Sequence, residues 1–249
     1  MKSTLKMVAC IPARYAATRF PAKLMQPLGE HTVIVETYLN TIKTNLFNEV
    51  WVITDSAIIY DAIKKVGGKV KMSSLQHESG TDRIAEIIET EEVDIIINVQ
   101  GDEPFVQKEQ LENLIQVFYD NPQVQVASLM QILDNEEEII NPNFVKVAVD
   151  KNNNAMYFSR SVIPYNRATL PHNYYEHIGI YAFKKNALLH FYKSAPTPLE
   201  LAEKIECLRF LEMGIPIKMV LTNYMGIEID TPEDLINAQK KYKDLKVKI

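Results

Sequence analysis

The chain has 249 residues, 47% of them hydrophobic and 24% charged, with a formal net charge of −5. That apolar content suffices to bury one sizeable α/β core, and the acidic balance excludes a general nucleic-acid binder, which needs a basic excess. Two cysteines, Cys10 and Cys207, each with apolar neighbours and far apart, exclude a disulfide framework and a CxxC metal site and fit a reducing compartment, the cytoplasm.

Short apolar runs alternate with amphipathic segments, the pattern of βαβ units around a mostly parallel sheet. Met1–Lys6 is polar, lacks the apolar core of a secretory signal, and leads into a buried strand over Met7–Pro12; no later run is long enough to span a bilayer. A helix over Val33–Lys43, a strand over Glu49–Thr54 and a helix over Ala57–Lys65 follow, the last stopped by Gly67-Gly68. Next come a strand over Lys69–Met72, a helix over Thr81–Glu89, an apolar strand over Asp94–Val99 and a helix over Lys108–Tyr119. The texture then changes. Val124–Gln131, Phe144–Val149, Ala155–Phe158 and Ile178–Phe183 read as strands joined by Asn- and Pro-rich loops, so 124–183 is expected to add edge strands or a small dimerisation lobe. Helices over Lys185–Tyr192 and Leu199–Met213, a strand over Ile217–Leu221 and a helix over Pro232–Lys241 close the chain. Neither repeat nor linker interrupts it, which predicts a single domain over 1–249.

Four segments carry chemistry. The loop after the first strand, Ile11 to Lys23, holds Arg14, Arg19 and Lys23 among small residues and prolines, at the strand end where ligands of open α/β sheets bind. Guanidinium forks and an ammonium suit a triphosphate; the alternative is a solvated loop paired with surface carboxylates. The eight glycines form neither GxGxxG nor GxxxxGK[ST], so neither a dinucleotide fold nor a P-loop ATPase is supported. Asn98 to Pro104 ends an apolar strand. There Gly101 permits close backbone approach or an unusual dihedral, and Asp102 is either a hard oxygen ligand for magnesium or part of a turn. Asp230, just before Thr231-Pro232, is either a second metal carboxylate or a helix cap. Ser79 to Arg83 enters a helix, where amides face a phosphate or a base edge, or where Ser79 and Thr81 merely cap. The five histidines form no HxxxH or HExxH pair, and no Ser-His-Asp or Cys-His nucleophile arrangement is legible. His177, at the start of a strand, reads as core or as a substrate contact.

Taken together and in order, Ile11–Lys23, Ser79–Arg83, Asn98–Pro104, Asn141–Lys146 with Tyr157–Pro164, His177–Tyr181, the Pro198-Leu199-Glu200 helix and Asp230–Leu235 make the chain resemble the 3-deoxy-manno-octulosonate cytidylyltransferases (CMP-KDO synthetases) over nearly its whole length. The resemblance implies a Rossmann-like nucleotidyltransferase fold, a glycosyltransferase-A-like three-layer α/β sandwich with a mostly parallel mixed sheet, usually as a homodimer. It implies CTP and KDO as substrates, Mg2+ as cofactor and CMP-KDO for lipopolysaccharide assembly as product, with neither nucleic acid nor membrane as partner. Residue by residue, it implies Arg14, Arg19 and Lys23 on the triphosphate with Ala13 and Thr18 beside them. Ser79, Gly80, Arg83 and Gln100 fall at the nucleotide, Asp102 and Asp230 at magnesium. Gln100, Arg160, His177, Tyr181 and Glu206 fall at the sugar acid. Arg14, Arg19, Lys23 and Asp102 are the implied catalytic set.

The sequence departs from the family's usual pattern at four places. Ala22 stands where glycine is usual, Leu24 for proline, Ala17 for serine and Cys207 for glutamine. Alanine tolerates close approach, but a positive φ at residue 22 would be strained. The lost glutamine falls in the implied sugar pocket and keeps a related acidic sugar, an 8-amino analogue or a nonulosonic acid, open as the acceptor. A non-catalytic nucleotide-sugar binding protein is the remaining alternative.

Overall fold

The computed structural model describes residues 5–16, 20–74, 77, 79–223 and 226–247. The chain divides into two compact units, Met1–Glu109 with Met225–Ile249, and Gln110–Tyr224.

The first unit is built on β1 (Met7–Ala13), whose seven residues are all buried, as expected of a parallel strand covered on both faces. After a short 3-10 turn (Lys23–Met25) and the hairpin of β2 (Pro27–Leu28) with β3 (His31–Thr32), the chain alternates α1 (Val33–Lys43), β4 (Glu49–Thr54), α2 (Ala57–Lys65), β5 (Val70–Met72), α3 (Gly80–Ile88) and β6 (Ile95–Asn98). Parallel pairings give the strand order β6-β1-β4-β5. Pro12 follows Cys10, the last residue of β1 paired with β6, so its missing N–H leaves no gap in that ladder. Right-handed crossovers from β1 to β4 to β5 put α1 and α2 on one face, and the return from β5 to β6 puts α3 on the other. The loops after β1 and β6 therefore leave neighbouring strands at the switch point of the sheet, where open α/β folds bind ligands.

The second unit runs α4 (Lys108–Asp120), β7 (Val126–Leu133), α5 (Glu136–Ile140), β8 (Lys146–Val149), β9 (Ala155–Ser159), β10 (Tyr174–Lys184), α6 (Lys185–Lys193), α7 (Pro198–Glu203), α8 (Leu208–Glu212) and β11 (Ile217–Leu221). Here β7 is parallel to β11 and antiparallel to β10, and the antiparallel path continues through β8 to β9. Phe183, Phe191 and Phe210 stack at 4.7 and 5.6 Å in its core. The chain then returns to the first unit with α9 (Pro232–Val247).

The helix read over Leu199–Met213 is two helices, because Lys204 takes a left-handed conformation (φ 56°) that stops α7. The break is stabilised from outside: the Glu203 carbonyl accepts from Arg160 Nε at 2.8 Å and the Lys204 carbonyl from Arg160 at 3.4 Å. Arg209 at the start of α8 then reaches back to the Glu200 carboxylate of α7 at 2.7 Å, a buried pair that folds one helix against the other.

Candidate active site

A cavity of about 300 Å3 opens in the first unit at the switch point. Its walls come from the end of β1 (Ala13, Arg14), the 3-10 turn (Lys23), the start of α3 (Ser79, Gly80, Arg83) and the loop after β6 (Gln100, Asp102). Eight of the residues expected at the nucleotide or the metal thus line one space. Thr18 and Arg19, expected with them, lie outside the described residues, as does Ala17.

At one side of this space the Lys23 ammonium bridges two carboxylates, contacting Asp102 and lying 2.7 Å from Asp230 Oδ1. Burial draws the Lys23 pKa down, but the charges and hydrogen bonds of Asp102 and Asp230 outweigh it and leave the pKa above the ordinary lysine value. Lys23 is therefore an ammonium throughout the neutral range. Glu228 joins the group: one carboxylate oxygen each from Asp102, Glu228 and Asp230 lie within 4.8 Å of one another. Three hard oxygen donors around a position already drawn to a cation fit Mg2+.

Two residues 128 positions apart in sequence meet here because their backbones are joined. The Ile229 N–H donates to the Asp102 carbonyl at 3.1 Å, and Ile229 itself is wholly buried. Period two about Ile229 then sends Glu228 and Asp230 to the other side. Asp230 is not spent as a cap. Thr231 and Asp234 form the reciprocal cap of α9, with Asp234 accepting from the Asp230 and Thr231 amides at 3.1 and 2.8 Å. Asp102 is set by Gly101, where close approach rather than a positive φ explains the glycine: a Cβ there would lie 2.9 Å from the Pro12 carbonyl oxygen. Thr37 of α1 donates to the Gly101 carbonyl at 2.9 Å and pins the turn from behind.

Across the cavity, Ser79 caps α3 by accepting from the Asp82 amide at 3.1 Å. Arg83 is almost wholly buried between Asp55 and Ser73, 2.7 Å from each, so it shapes the wall with its charge already matched. His77, which sequence reading did not single out, also lines the wall and contacts Glu86.

Ala22 adopts φ 54°, ψ 30° immediately before Lys23, the left-handed conformation that glycine adopts freely and alanine does not. A left-handed alanine costs roughly 1–2 kcal/mol. Ala22→Gly is therefore expected to stabilise the protein by about 1 kcal/mol, a rise of about 2–4 °C in Tm, with turnover retained. A differential scan showing a lower Tm would contradict the strain.

In the second unit, the residues expected at the sugar acid fall in two groups. His177 and Tyr181 of β10 have ring centroids 5.2 Å apart, and Phe158 meets the His177 ring edge-on at 4.9 Å. Enclosure by these rings lowers the His177 pKa to about 4, so it is neutral near pH 7. Burial raises the Tyr181 pKa, with the Cys207 sulfur and the neighbouring Glu206 charge adding to the effect. Cys207 is fully buried, its thiol pushed up by the same desolvation. The Arg160 guanidinium donates to the carbonyls of Glu203, Lys204 and, at 2.9 Å, Pro142.

A parallel sheet whose switch point holds a basic loop opposite an acidic cluster that fits a divalent cation defines a nucleotidyltransferase of Rossmann-like fold. The chain belongs to the cytidylyltransferase family, whose model matches residues 8–219, and within it to the 3-deoxy-manno-octulosonate cytidylyltransferases. It is 54% identical over 244 residues to the protein of that name from Flavobacterium johnsoniae, covering 97% of this chain and all of the relative, and 51% identical over 238 residues to that of Christiangramia forsetii, covering 94% and 96%. Among solved structures, a CMP:2-keto-3-deoxy-manno-octonic acid synthetase complexed with CTP superposes with a TM-score of 0.93 at 36% identity, over 96% of this chain and 99% of that one.

Proposed function

We propose that this chain transfers CMP from CTP to the anomeric hydroxyl of KDO, giving CMP-KDO and pyrophosphate. The observation that carries the reading is Lys23 held between Asp102 and Asp230 in the cavity at the end of β1 and β6. It is an anion-binding cation and a cation-binding pair in one place, the two halves of a site for a metal triphosphate. The near full-length relatives of that name and the CTP complex of a similar enzyme support the same substrates.

In this reading Arg14, Arg19 and Lys23 face triphosphate oxygens, with Ala13 and Thr18 beside them. Ser79, Gly80, Arg83 and Gln100 shape the nucleotide's place. Gln100, Arg160, His177, Tyr181 and Glu206 serve the sugar acid. Asp102 and Asp230, with Glu228 beside them, would hold Mg2+, which would supply charge neutralisation for the phosphates and acidify a hydroxyl. The protein's own work is positioning and charge matching. The anomeric oxygen forms a bond to the α-phosphorus in line as the bond to the bridging oxygen breaks; pyrophosphate leaves with the electron pair and the hydroxyl proton passes to water. No protein nucleophile is needed, in keeping with the missing nucleophile arrangement. The setting is the cytoplasm, and among the described residues no helix is long and apolar enough to cross a membrane. A homodimer belongs to the same reading, supported by the exposed apolar side chains of Met156, Tyr165 and Leu170 in the second unit.

The test is pyrophosphate release with CTP and a panel of sugar acids: KDO, its 8-amino analogue and a nonulosonic acid. KDO is expected to turn over fastest. Turnover of an analogue with KDO inert would overturn the substrate, and CTP binding without turnover on any acceptor would favour a binding protein.

A further inference from the structure

Strand β7 is apolar where it pairs with β10, except for Gln131, which bonds Glu176 of β10, and Ser128, which is wholly buried. It sits at a break in register. Leu129 opposes Ile178 and Ser128 opposes Tyr181, so β10 carries Gly179 and Ile180 as extra residues between paired positions. The irregularity turns two carbonyls onto one side chain. The Ser128 hydroxyl oxygen lies 3.1 Å from the Ile178 carbonyl, 3.0 Å from the Ile180 carbonyl and 3.0 Å from His177 Nε2.

A serine hydroxyl has one proton, and carbonyls only accept. Were the proton turned to His177, both carbonyls would face an oxygen lone pair at about 3 Å with no proton between. With the proton on one carbonyl, the hydroxyl's lone pair accepts from Nε2–H, so two of the three contacts are hydrogen bonds and only the other carbonyl faces the oxygen without its proton. Neutral histidine carries one ring proton, so Nδ1 is left bare. Among the described residues the rings of Phe158 and Tyr181 flank the imidazole, and no hydrogen-bond donor to Nδ1 is seen.

We propose that Ser128 is a positioning residue for the sugar-acid pocket: its hydroxyl fixes His177 as the Nε2–H tautomer and so keeps Nδ1 as an acceptor for a substrate hydroxyl. The functional half rests on the reading that His177 touches the sugar acid. The chemistry selects within that class. A bare Nδ1 takes a hydroxyl donor and turns away the sugar's carboxylate, which offers only lone pairs.

The test begins with unsubstituted protein labelled with 15N in the histidine rings. Long-range 1H–15N spectra are expected to show His177 protonated at Nε2 and bare at Nδ1; an Nδ1–H form would overturn the proposal without any variant. Ser128→Ala is expected to convert His177 to a mixture of tautomers, to raise KM for KDO about tenfold and to leave KM for CTP within about twofold. Ser128→Thr, which keeps the hydroxyl, is expected to restore the tautomer and covers the case in which the alanine variant does not fold. An unchanged tautomer in Ser128→Ala, with only Tm lowered, would reduce Ser128 to a packing role and overturn the proposal directly. A shifted tautomer with KM for KDO unmoved would overturn it through its premise, by removing His177 from the sugar.

Discussion

Asp102→Asn is expected to lower kcat by at least about a hundredfold while the far-UV spectrum and Tm stay close to those of the parent. Asparagine has the shape of aspartate and still offers an oxygen to Lys23 at the same place. What it lacks is charge. The cluster of Asp102, Glu228 and Asp230 with Lys23 sums to two negative charges, and the substitution brings that to one. A divalent cation then loses a hard anionic ligand, so Mn2+ titrated into the variant is expected to bind at least about tenfold more weakly. Full turnover in the variant would remove Asp102 from the metal and from the reaction.

Lys23→Met carries the second large effect, and it separates two roles of one side chain. On the triphosphate, loss of the ammonium is expected to reduce kcat/KM for CTP by about a hundred- to a thousandfold. In the protein without nucleotide, it leaves Asp102 and Asp230 facing each other with their shared cation gone. These side chains are only 13% and 24% exposed, so solvent screens them poorly. The expected cost is about 1–3 kcal/mol. A divalent cation can take the vacated place. Mg2+ should therefore raise Tm more in the variant than in the parent, where it must compete with Lys23. Equal Mg2+ shifts in the two proteins would show that the ammonium and the metal do not share the carboxylates.

The parts of the fold that local chemistry decides were legible in the sequence. The helices Val33–Lys43 and Ala57–Lys65 and the strands Glu49–Thr54 and Ile217–Leu221 lie within their expected bounds. Each is a clean periodic run with a stop residue at its end. The helix over Leu199–Met213 was misread because its apolar spacing runs unbroken through Lys204; the break is held by Arg160, 44 residues away. The strand read as Ile178–Phe183 begins at Tyr174, since pairing with β7 rather than hydrophobicity extends it.

The candidate site divides along the same line. Arg14, Lys23, Ser79, Gln100 and Asp102 could be picked out because each sits in a short motif at a strand end or helix start. Whether Asp230 caps a helix or faces a cation could not be decided locally. The Thr231–Asp234 cap and the Ile229 to Asp102 backbone bond, both products of the folded chain, leave its carboxylate to Lys23. Glu228 is hidden in the sequence for a different reason. Its signal was the alternation Glu228-Ile229-Asp230, which puts two acids on one side of a buried isoleucine, and alternation matters only once Asp102 is known to lie opposite. The strain at Ala22 was foreseeable as a conditional, from alanine in a glycine's place, and needed the backbone to become a fact.

Transfer of CMP from CTP to a sugar acid at this site is the reaction on which the residue roles above depend. It is tested most directly by 31P NMR of the purified protein with CTP, KDO and Mg2+. The three CTP resonances are expected to give way to one pyrophosphate signal and one phosphodiester signal of a CMP-sugar, in equal amounts and only when KDO is present. Release of inorganic phosphate with CDP left behind, or CTP persisting unchanged beside KDO, would contradict the account.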